Sequence, residues 1–438
     1  MIVSFSVSNF RSFSTEETLS LVASNRLSGS HDDHLVPIPD SKEKVLRAAV
    51  LYGANAAGKS NLFKALRYVK SAALQGPAGH EPFRFGRPPE APSSFDLQFI
   101  AAEKLYRFGF KVDDVRVTEE WLFQVVGNRQ KLLYERTTDE DGKVFINAEG
   151  LRSAGDKVMA LATVGGPQNQ PFLATANLTL NEGDVGEDLA HVLAWFKQGL
   201  NLIGPDQSVE RLEQMLDQDP DFRSFAGAFL KSASTGVDHL EVLKEEFTPP
   251  DPVYVRALAD DRIRMRLRRG ELLLDRKAGN RLYELSIQAA HEHTPGNVVR
   301  LELAEESDGT RRLLNLISAL RSLRTTGAVY FIDEIDRSLH PILVKEFLEF
   351  FVKAHDGGTG QIIVTTHESN LLDQDLLRRD EIWFAEKDQT GATRLYSLLD
   401  FKVRNDLEIR KHYLQGRFGA VPFLGNLDNL LAKTDRPE

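Results

Sequence analysis

The sequence contains no cysteine. This absence excludes disulfide bonds, cysteine-ligated zinc, iron–sulfur clusters and a cysteine nucleophile, and it is compatible with a reducing cytosol. No stretch has the long uncharged apolar run that a membrane span needs. The alternation of Val3, Phe5 and Val7 with serines indicates a strand rather than a targeting signal. We therefore expect a soluble, cytoplasmic protein with no membrane partner.

The chain also has no excess of positive charge. Its 54 Lys and Arg residues against 64 Asp and Glu residues give a net charge of −10. This excludes a generally basic surface that coats nucleic acid, although it does not exclude a local basic patch. With 438 residues, 42% hydrophobic and 27% charged, the composition is typical of a globular protein with one to three domains.

Three short apolar runs predict buried parallel strands, because they are continuous rather than alternating. They cover residues 48–52, 328–332 and 362–366, and glycine or polar residues follow each of them. In an open α/β sheet, ligands bind at the carboxyl ends of such strands.

The long section between the first two runs has a different pattern. Alternation from Phe95 to about Glu135 predicts antiparallel strands. Residues 185–233 have a helical pattern, and residues 253–290 are typical of a β-hairpin region.

The strongest local signal is the segment Gly53-Ala54-Asn55-Ala56-Ala57-Gly58-Lys59-Ser60. It matches G-x-x-x-x-G-K-[ST] and stands between a predicted buried strand and a predicted helix, which is the context this phosphate-binding loop requires. Glycines let backbone N–H groups approach phosphate oxygens, and the helix N-terminus favours negative charge. We expect Lys59 to reach the β- and γ-phosphates and Ser60 to ligate Mg²⁺; a chance glycine turn is the alternative interpretation. The candidate nucleotide-binding residues are Gly53, Asn55, Ala56, Ala57, Gly58, Lys59, Ser60 and Asn61.

Two acidic residues, Asp333 and Glu334, follow the run 328–332. A carboxylate at a strand end beside a phosphate-binding loop is where a second Mg²⁺ ligand belongs, so we assign Asp333 that role. Glu334 is the candidate general base that activates water. An isolated Asp-Glu pair more often forms a polar strand-to-helix junction, but the upstream loop favours the functional interpretation.

Two further segments are candidate site residues because of their position in the sequence. Ser307, Gly309 and Thr310 precede the predicted helix 311–323, where a hydroxyl and free backbone N–H groups can bind an anion. On their own they indicate a plain helix N-cap. His367 directly follows the run 362–366, where a neutral imidazole can hydrogen-bond a γ-phosphate or attacking water; a lone histidine is usually structural.

In this order, these sites resemble those of the ATP-binding-cassette ATPases of the SMC/RecF/OLD type, closely over residues 1–62 and 299–373. The segment Ser8-Asn9-Phe10-Arg11-Ser12-Phe13 resembles the opening strand of that group, and Arg11 joins the candidate nucleotide-binding residues. Residues 307–310 resemble the signature loop, 336–341 the D-loop, and His367 the switch histidine. Within the group, the chain looks most like compact ATPases of bacterial anti-phage and abortive-infection systems, such as RloA-like and AbiL-like proteins and the AriA subunit of PARIS.

The resemblance implies an α/β fold, an ATP-binding-cassette head with a P-loop parallel sheet, an antiparallel β lobe and a helical and β-hairpin insertion. It implies ATP and Mg²⁺ as cofactors, with Glu334 and His367 as catalytic residues. It also implies an ATP-sandwich homodimer or higher oligomer, in which Ser307 and Gly309 of one chain complete the site of the other. The expected domains are the N-terminal half of the head at 1–75, the β lobe and Q-loop region at 76–180, the insertion at 181–298, the C-terminal half of the head at 299–400 and a C-terminal extension at 401–438.

The sequence departs from the family pattern at several points. The signature is S-D-G-T rather than L-S-G-G-Q, so Gly309 alone supplies the second backbone contact, and the long middle insertion further disfavours a transporter subunit. The Q-loop residue is not fixed by the sequence; Gln170 with residues 172–177, or Gln98, are the candidates. The stretch after His367 is short and lacks an acidic cluster, so we expect no nuclease activity in this chain.

One feature is independent of the family. Arg262, Arg264, Arg266 and Arg268 alternate with apolar residues, which on a strand places four guanidinium groups on one face. Such a stripe fits nucleic-acid phosphates or an acidic partner protein. A solvated strand face with acidic side chains nearby is the alternative.

Two hypotheses for the function remain. In the first, the chain is an ATP-hydrolysing sensor and regulator of a bacterial antiviral, abortive-infection system, whose dimerisation controls a separate effector, expected to be a nuclease, in response to a trigger such as a phage protein. In the second, it is a RecF-like repair or recombination ATPase that binds DNA directly.

Overall fold

The structure is a computed structural model that describes residues 1–85, 91–205, 212–248, 270–275, 281–294, 296–321, 328–353, 359–402 and 408–420. Within these residues, the strands are β1 (Ile2–Ser8), β2 (Glu17–Ser20), β3 (Leu35–Pro37), β4 (Lys44–Leu46), β5 (Ala48–Tyr52), β6 (Ser93–Ala101), β7 (Lys104–Val112), β8 (Val117–Val126), β9 (Arg129–Thr138), β10 (Val144–Asn147), β11 (Leu200–Ile203), β12 (His239–Glu246), β13 (Glu271–Asp275), β14 (Arg281–Thr294), β15 (Asn297–Glu302), β16 (Val329–Ile332), β17 (Gln361–Thr366), β18 (Ile382–Lys387) and β19 (Thr393–Ser397). The α-helices are α1 (Lys59–Leu74), α2 (Asp156–Val164), α3 (Phe172–Thr179), α4 (Glu187–Ala194), α5 (Leu212–Gln218), α6 (Pro220–Ser232), α7 (Asp308–Arg321), α8 (Pro341–Lys353) and α9 (Ile409–Leu414).

The chain divides into two compact units, of which the first comprises Met1–Leu202, Thr326–Ile335 and Val352–Glu438, and the second Ile203–Thr325 and Asp336–Phe351. None of the helices in the described residues combines the length and the apolar character that crossing a bilayer requires.

The continuous apolar runs form the centre of a six-stranded sheet with the order β11-β16-β17-β5-β18-β19. Strands β16, β17, β5 and β18 are parallel, and β19 is antiparallel to β18. Every residue of β5, β16 and β17 is buried, because a parallel sheet is covered on both faces. The three predicted parallel strands are thereby confirmed, and with them the α/β class.

A seven-stranded antiparallel sheet in the same unit has the order β10-β9-β8-β7-β6-β1-β2. Strands β6 to β9 pair antiparallel in chain order, and β6 alternates between buried and half-buried side chains, which confirms the predicted antiparallel β region. Helix α1 contacts a strand of each sheet. The ring of Phe63 lies edge-on to Phe331 of β16 at 5.5 Å, and Tyr68 lies 5.1 Å from Phe95 of β6.

The second unit contains a four-stranded sheet in which β14 pairs with β12, β13 and β15. Helices α5, α6 and α7 supply Leu216, Leu230 and Ile317 to its apolar core, together with Ile287 of β14. The predicted hairpin is confirmed for β13 and β14, which are antiparallel. The arginine stripe, 262–268, lies outside the described residues.

One expectation was wrong within the segment 185–233. It was predicted to be helical, but residues 200–203 form strand β11. Packing explains the difference: β11 lies at the edge of the parallel sheet beside β16, where Leu200 and Ile203 are buried. A four-residue strand of this kind leaves no periodic signal in a sequence window.

Candidate nucleotide site

The loop 53–60 joins β5 to α1 and turns where only glycine fits. A Cβ atom at Gly53 would lie 2.5 Å from the Ala385 carbonyl oxygen. At Gly58, φ is +112° and a Cβ atom would lie 2.0 Å from Thr393 Oγ1. The backbone therefore approaches its neighbours too closely for a side chain at either motif glycine.

Lys59, the first residue of α1, is buried against its own loop. Its Nζ donates to the carbonyl oxygens of Gly53 at 2.7 Å and Ala54 at 3.2 Å, and lies 3.3 Å from His367 Nδ1. The strand register explains this meeting: Thr366 of β17 pairs with Tyr52 of β5, so the residues that follow them emerge side by side. The structure thus brings together two predicted site residues that are 308 positions apart.

The acidic pair follows β16, the strand next to β17. Asp333 is buried, and its Oδ1 lies 2.6 Å from Thr365 Oγ1. The backbone N–H of Glu334 donates to the same Thr365 oxygen at 2.8 Å. Glu334 has a φ of +50°, a left-handed conformation that costs energy for a residue with a side chain and is concentrated at functional sites.

Other predicted nucleotide-binding residues have different surroundings. Asn55 and Ala56 are exposed at the tip of the loop, whereas Ala57 is buried. The Asn61 side chain donates to Ser12 Oγ at 2.8 Å. Ser60 is half-buried in the first turn of α1.

The predicted nucleotide contact Arg11 also has a protein partner in the structure. Its guanidinium forms an ion pair with Glu81 at 2.5 Å. Its backbone N–H donates to the carbonyl of that same residue at 2.8 Å.

The signature-like residues belong to the second unit. Ser307 caps α7, and Gly309 and Thr310 lie in its first turn, because the helix begins at Asp308 and not at the predicted position 311. Ser307 Oγ accepts from the backbone N–H of Thr310 at 3.1 Å and lies 2.9 Å from the Thr310 hydroxyl. A Cβ atom at Gly309 would lie 2.8 Å from the Ser338 carbonyl oxygen, so this glycine is required by close approach. Directly before the cap, the buried Glu306 accepts a hydrogen bond from His291 Nε2 at 2.6 Å. Ser307 therefore forms the helix N-cap that the sequence indicates.

The Q-loop candidates lie on and before α3. The Asn177 amide of α3 donates to the Leu74 carbonyl at the end of α1, at 2.9 Å. At the other end of α3, the backbone N–H groups of Phe172 and Leu173 donate to Glu120 of β8 at 2.6 and 3.2 Å. Burial raises the pKa of Glu120, and the nearby Arg136 guanidinium opposes that rise. The remaining candidate, Gln98, lies on β6 opposite Arg107.

The residues at the carboxyl ends of β5, β16 and β17 are of the types that a magnesium–nucleotide needs. The two glycines leave a backbone cradle, Lys59 supplies a cation, and Ser60 and Asp333 supply a hydroxyl and a carboxylate. Oxygen donors of this kind, with substrate phosphates, are what Mg²⁺ takes in proteins. His367 and Glu334 add groups that can hydrogen-bond phosphate and accept a proton.

Sequence reasoning missed three residues that organise this site: Ser12, Thr365 and Thr393. Thr365 had a usable signal, since it is a polar residue at the buried carboxyl end of a predicted parallel strand. Thr393 had none, because it follows a hairpin far along the chain and contacts the loop only in the fold.

Comparison with known proteins shows the family of this chain. Residues 48–157 and 179–373, more than half of the chain, match the family described as "AAA domain, putative AbiEii toxin, Type IV TA system". No curated protein sequence gives a significant match.

Solved structures of SMC head domains are also similar. The head domain from Thermotoga maritima has 13% identity and a TM-score of 0.39, with 90% of this chain and 98% of that chain covered. A head bound to the C-terminal winged-helix domain of ScpA has 12% identity and a TM-score of 0.40, covering 90% and 97%. A head with an extended coiled coil, bound to the ScpA C-terminal domain from Pyrococcus furiosus, has 12% identity and a TM-score of 0.37. The match covers 90% of this chain and 96% of that chain. At these TM-scores the likeness carries no conclusion about activity or partners.

Proposed function

The chain belongs to the AbiEii-type AAA family that its sequence matches, and from this premise we propose that it binds ATP with Mg²⁺ at the loop 53–60 and hydrolyses it. The observation that carries the proposal is the position of Lys59 Nζ, 3.3 Å from His367 and in contact with the loop carbonyls. A buried lysine, a glycine cradle and a histidine at the carboxyl ends of adjacent parallel strands form a site for phosphate groups.

Each residue then has a definite task. Lys59 exchanges its bonds to the Gly53 and Ala54 carbonyls for bonds to β- and γ-phosphate oxygens. Ser60 and Asp333 hold Mg²⁺, which neutralises phosphate charge when bound. Glu334 accepts a proton from the attacking water, and His367 donates a hydrogen bond to the γ-phosphate.

We propose further that two chains sandwich ATP between them. The head formed by residues 1–75 and 299–400 supplies the loop 53–60, and the opposing chain supplies Ser307 and Gly309. The support lies in the cap of α7, whose first-turn N–H groups and dipole favour an anion. ATP binding would thereby control association of the two chains.

Mixing two inactive variants tests this arrangement. Lys59→Ala removes the loop's cation, and Ser307→Arg blocks the cap. In a sandwich, the mixed dimer retains one intact site, formed by Lys59 of one chain and Ser307 of the other. We expect each variant alone to be inactive and the mixture to recover about a quarter of the wild-type ATPase rate, by statistical pairing of functional groups. No recovery, with both variants folded, would contradict the shared site.

The biological role that we propose is regulation in a bacterial antiviral system in the cytoplasm. The support is the family description, which names a toxin of a toxin–antitoxin system. In this role, the ATP-bound oligomer holds or releases a separate effector, expected to be a nuclease, in response to a phage-derived trigger. Purification of the tagged chain from its native operon, with and without ATP, tests whether an effector is retained; absence of any operon-encoded partner in both states counts against it.

A RecF-like ATPase that binds DNA directly is the second candidate. The observation in its favour is the arginine stripe of the sequence, Arg262, Arg264, Arg266 and Arg268. Replacing all four with Ser should leave basal ATPase activity unchanged, since none belongs to the nucleotide motifs. Loss of salt-sensitive, ATP-dependent DNA binding would favour the DNA function, whereas loss of effector retention would favour the regulatory one.

A further inference from the structure

Thr393, at the start of β19, contacts the loop 53–60 through a buried hydrogen-bonded chain. Its hydroxyl oxygen lies 2.8 Å from the Ala57 carbonyl oxygen and 2.8 Å from Ser12 Oγ. The Asn61 amide nitrogen lies 2.8 Å from that same serine oxygen. The Thr393 backbone N–H also donates to the Ser12 carbonyl at 2.7 Å. The side chain of Thr393 is therefore fixed from several directions, and the residue is 1% exposed.

The hydroxyl hydrogens of Ser12 and Thr393 have one consistent arrangement. A carbonyl oxygen only accepts and a hydroxyl carries a single hydrogen, so Thr393 donates to Ala57. Ser12 then donates to Thr393, and the Asn61 amide donates to Ser12. Each hydroxyl donates once and accepts once, which satisfies these buried groups. All the hydrogen bonds of the series therefore run in one direction, toward the loop.

The Ala57 carbonyl determines where the next N–H points. In a trans peptide, the C=O and the following N–H point in opposite directions, and the described residues contain no cis peptide bond. Because Thr393 holds the Ala57 oxygen, the Gly58 N–H points away from Thr393. Gly58 also lies close to Thr393, since a Cβ atom at Gly58 would lie 2.0 Å from the Thr393 hydroxyl oxygen.

We propose that Thr393, held by Ser12 and Asn61, is a positioning residue that presents the Gly58 N–H to the nucleotide phosphates. The inference rests on the proposed binding of ATP at the loop 53–60 and adds to it a residue from a distant strand. Without the hydroxyl, the Ala57–Gly58 peptide is free to rotate, and the N–H must be reoriented at the moment of binding. This N–H meets the nucleotide as soon as it binds, so we expect loss of the contact to act on ATP binding more than on the chemical step.

The test compares Thr393→Val with Thr393→Ser in the full chain. Valine keeps the shape and removes the hydroxyl, whereas serine keeps the hydroxyl. We expect Thr393→Val to weaken ATP binding and raise KM by about tenfold, the value of one buried hydrogen bond, with kcat changed by less than about twofold. Thr393→Ser should stay near the wild type in both. Thr390→Val, which alters an exposed threonine of the same hairpin, is the matched control.

The outcomes separate the two levels of the proposal. Wild-type chain that binds no ATP overturns the proposed function. Wild-type chain that binds ATP, with an unchanged KM in folded Thr393→Val, overturns the positioning role, as does an equal loss in Thr393→Ser. If Thr393→Val does not fold, Thr393→Ala decides, because it also removes the hydroxyl that donates to the Ala57 carbonyl; an unchanged affinity for ATP in that folded variant overturns the role.

Discussion

The hydroxyl of Thr365 lies 2.6 Å from Asp333 Oδ1, across neighbouring parallel strands. The same oxygen accepts the backbone N–H of Glu334 at 2.8 Å. One hydroxyl, donating its hydrogen to Asp333 and accepting from Glu334, therefore sets the positions of both acidic residues of the candidate site. Thr365 belongs to none of the motifs found in the sequence, yet it links the proposed magnesium ligand to the proposed base.

We expect Thr365→Val to impair turnover more than ATP binding. Valine leaves the buried Asp333 oxygen and the Glu334 N–H without this partner, which costs about 1–3 kcal/mol. If this energy is lost from the transition state, kcat falls by about tenfold to a hundredfold. Steady-state hydrolysis and calorimetric ATP binding measure the two effects separately. Thr365→Ser is the control and should keep most activity; equal kcat values for the Val and Ser variants would contradict the role.

Lys59→Ala should abolish detectable nucleotide binding. The change removes the cation that the loop brings to the β- and γ-phosphates, and charge-assisted hydrogen bonds of this kind are the strongest available at such a site. Isothermal titration with ATP and Mg²⁺ measures the affinity. Arg67→Ala removes an exposed cation from the same helix and should leave the affinity unchanged. Unchanged ATP affinity in Lys59→Ala would show that the loop 53–60 is not the nucleotide site.

The sequence predicted the parts of the site that lie at the ends of strongly apolar strands. Residues 48–52 and 362–366 are continuous apolar runs, and their parallel pairing places Gly53 and His367 side by side. Two features could not be predicted in this way. Strand β11 is too short for its pattern to differ from the surrounding helical one, and its position depends on pairing with β16.

The second feature is the support of the loop by Thr393. Nothing near Thr393 in the sequence indicates a partner, because the contact with Ala57 spans 336 positions. Thr393 leaves no room for a side chain at Gly58. The phosphate-binding motif already requires a glycine at this position, so the glycine does not point to Thr393. Long-range hydrogen bonds of single hydroxyl groups leave no periodicity, and only the folded arrangement of β19 beside the loop reveals them.

Glu334→Gln should retain ATP binding and lose hydrolysis. Glutamine preserves size and hydrogen bonding but cannot accept a proton from water at neutral pH, and loss of a general base typically costs about 10²–10⁴-fold in rate. If ATP joins two chains, the variant should accumulate as an ATP-bound dimer, which light scattering after size-exclusion chromatography detects. Glu346→Gln, an exposed change on α8, is the control. Hydrolysis at the wild-type rate in Glu334→Gln would exclude Glu334 as the base.

The last prediction concerns Glu120, which ties α3 to the antiparallel sheet. Its fully buried carboxylate accepts the backbone N–H groups of Phe172 and Leu173, and the Tyr134 hydroxyl donates to it at 2.6 Å. Glu120→Ala leaves these buried donors without their acceptor, so the free energy of unfolding should fall by about 3 kcal/mol. Urea denaturation at neutral pH measures the change.

Glu119→Ala is the matched control for this prediction, because Glu119 is the adjacent residue and its side chain is 46% exposed in an ion pair with Lys111. An exposed pair of this kind contributes at most about 1 kcal/mol. Because Asn177 of α3 also donates to the last turn of α1, Glu120→Ala should in addition speed amide hydrogen exchange in α3 and at the end of α1, but not in β16 or β17. A loss of stability below about 1 kcal/mol, or uniform exchange throughout the first unit, would show that the hydrogen bonds to Glu120 do not hold α3 in place.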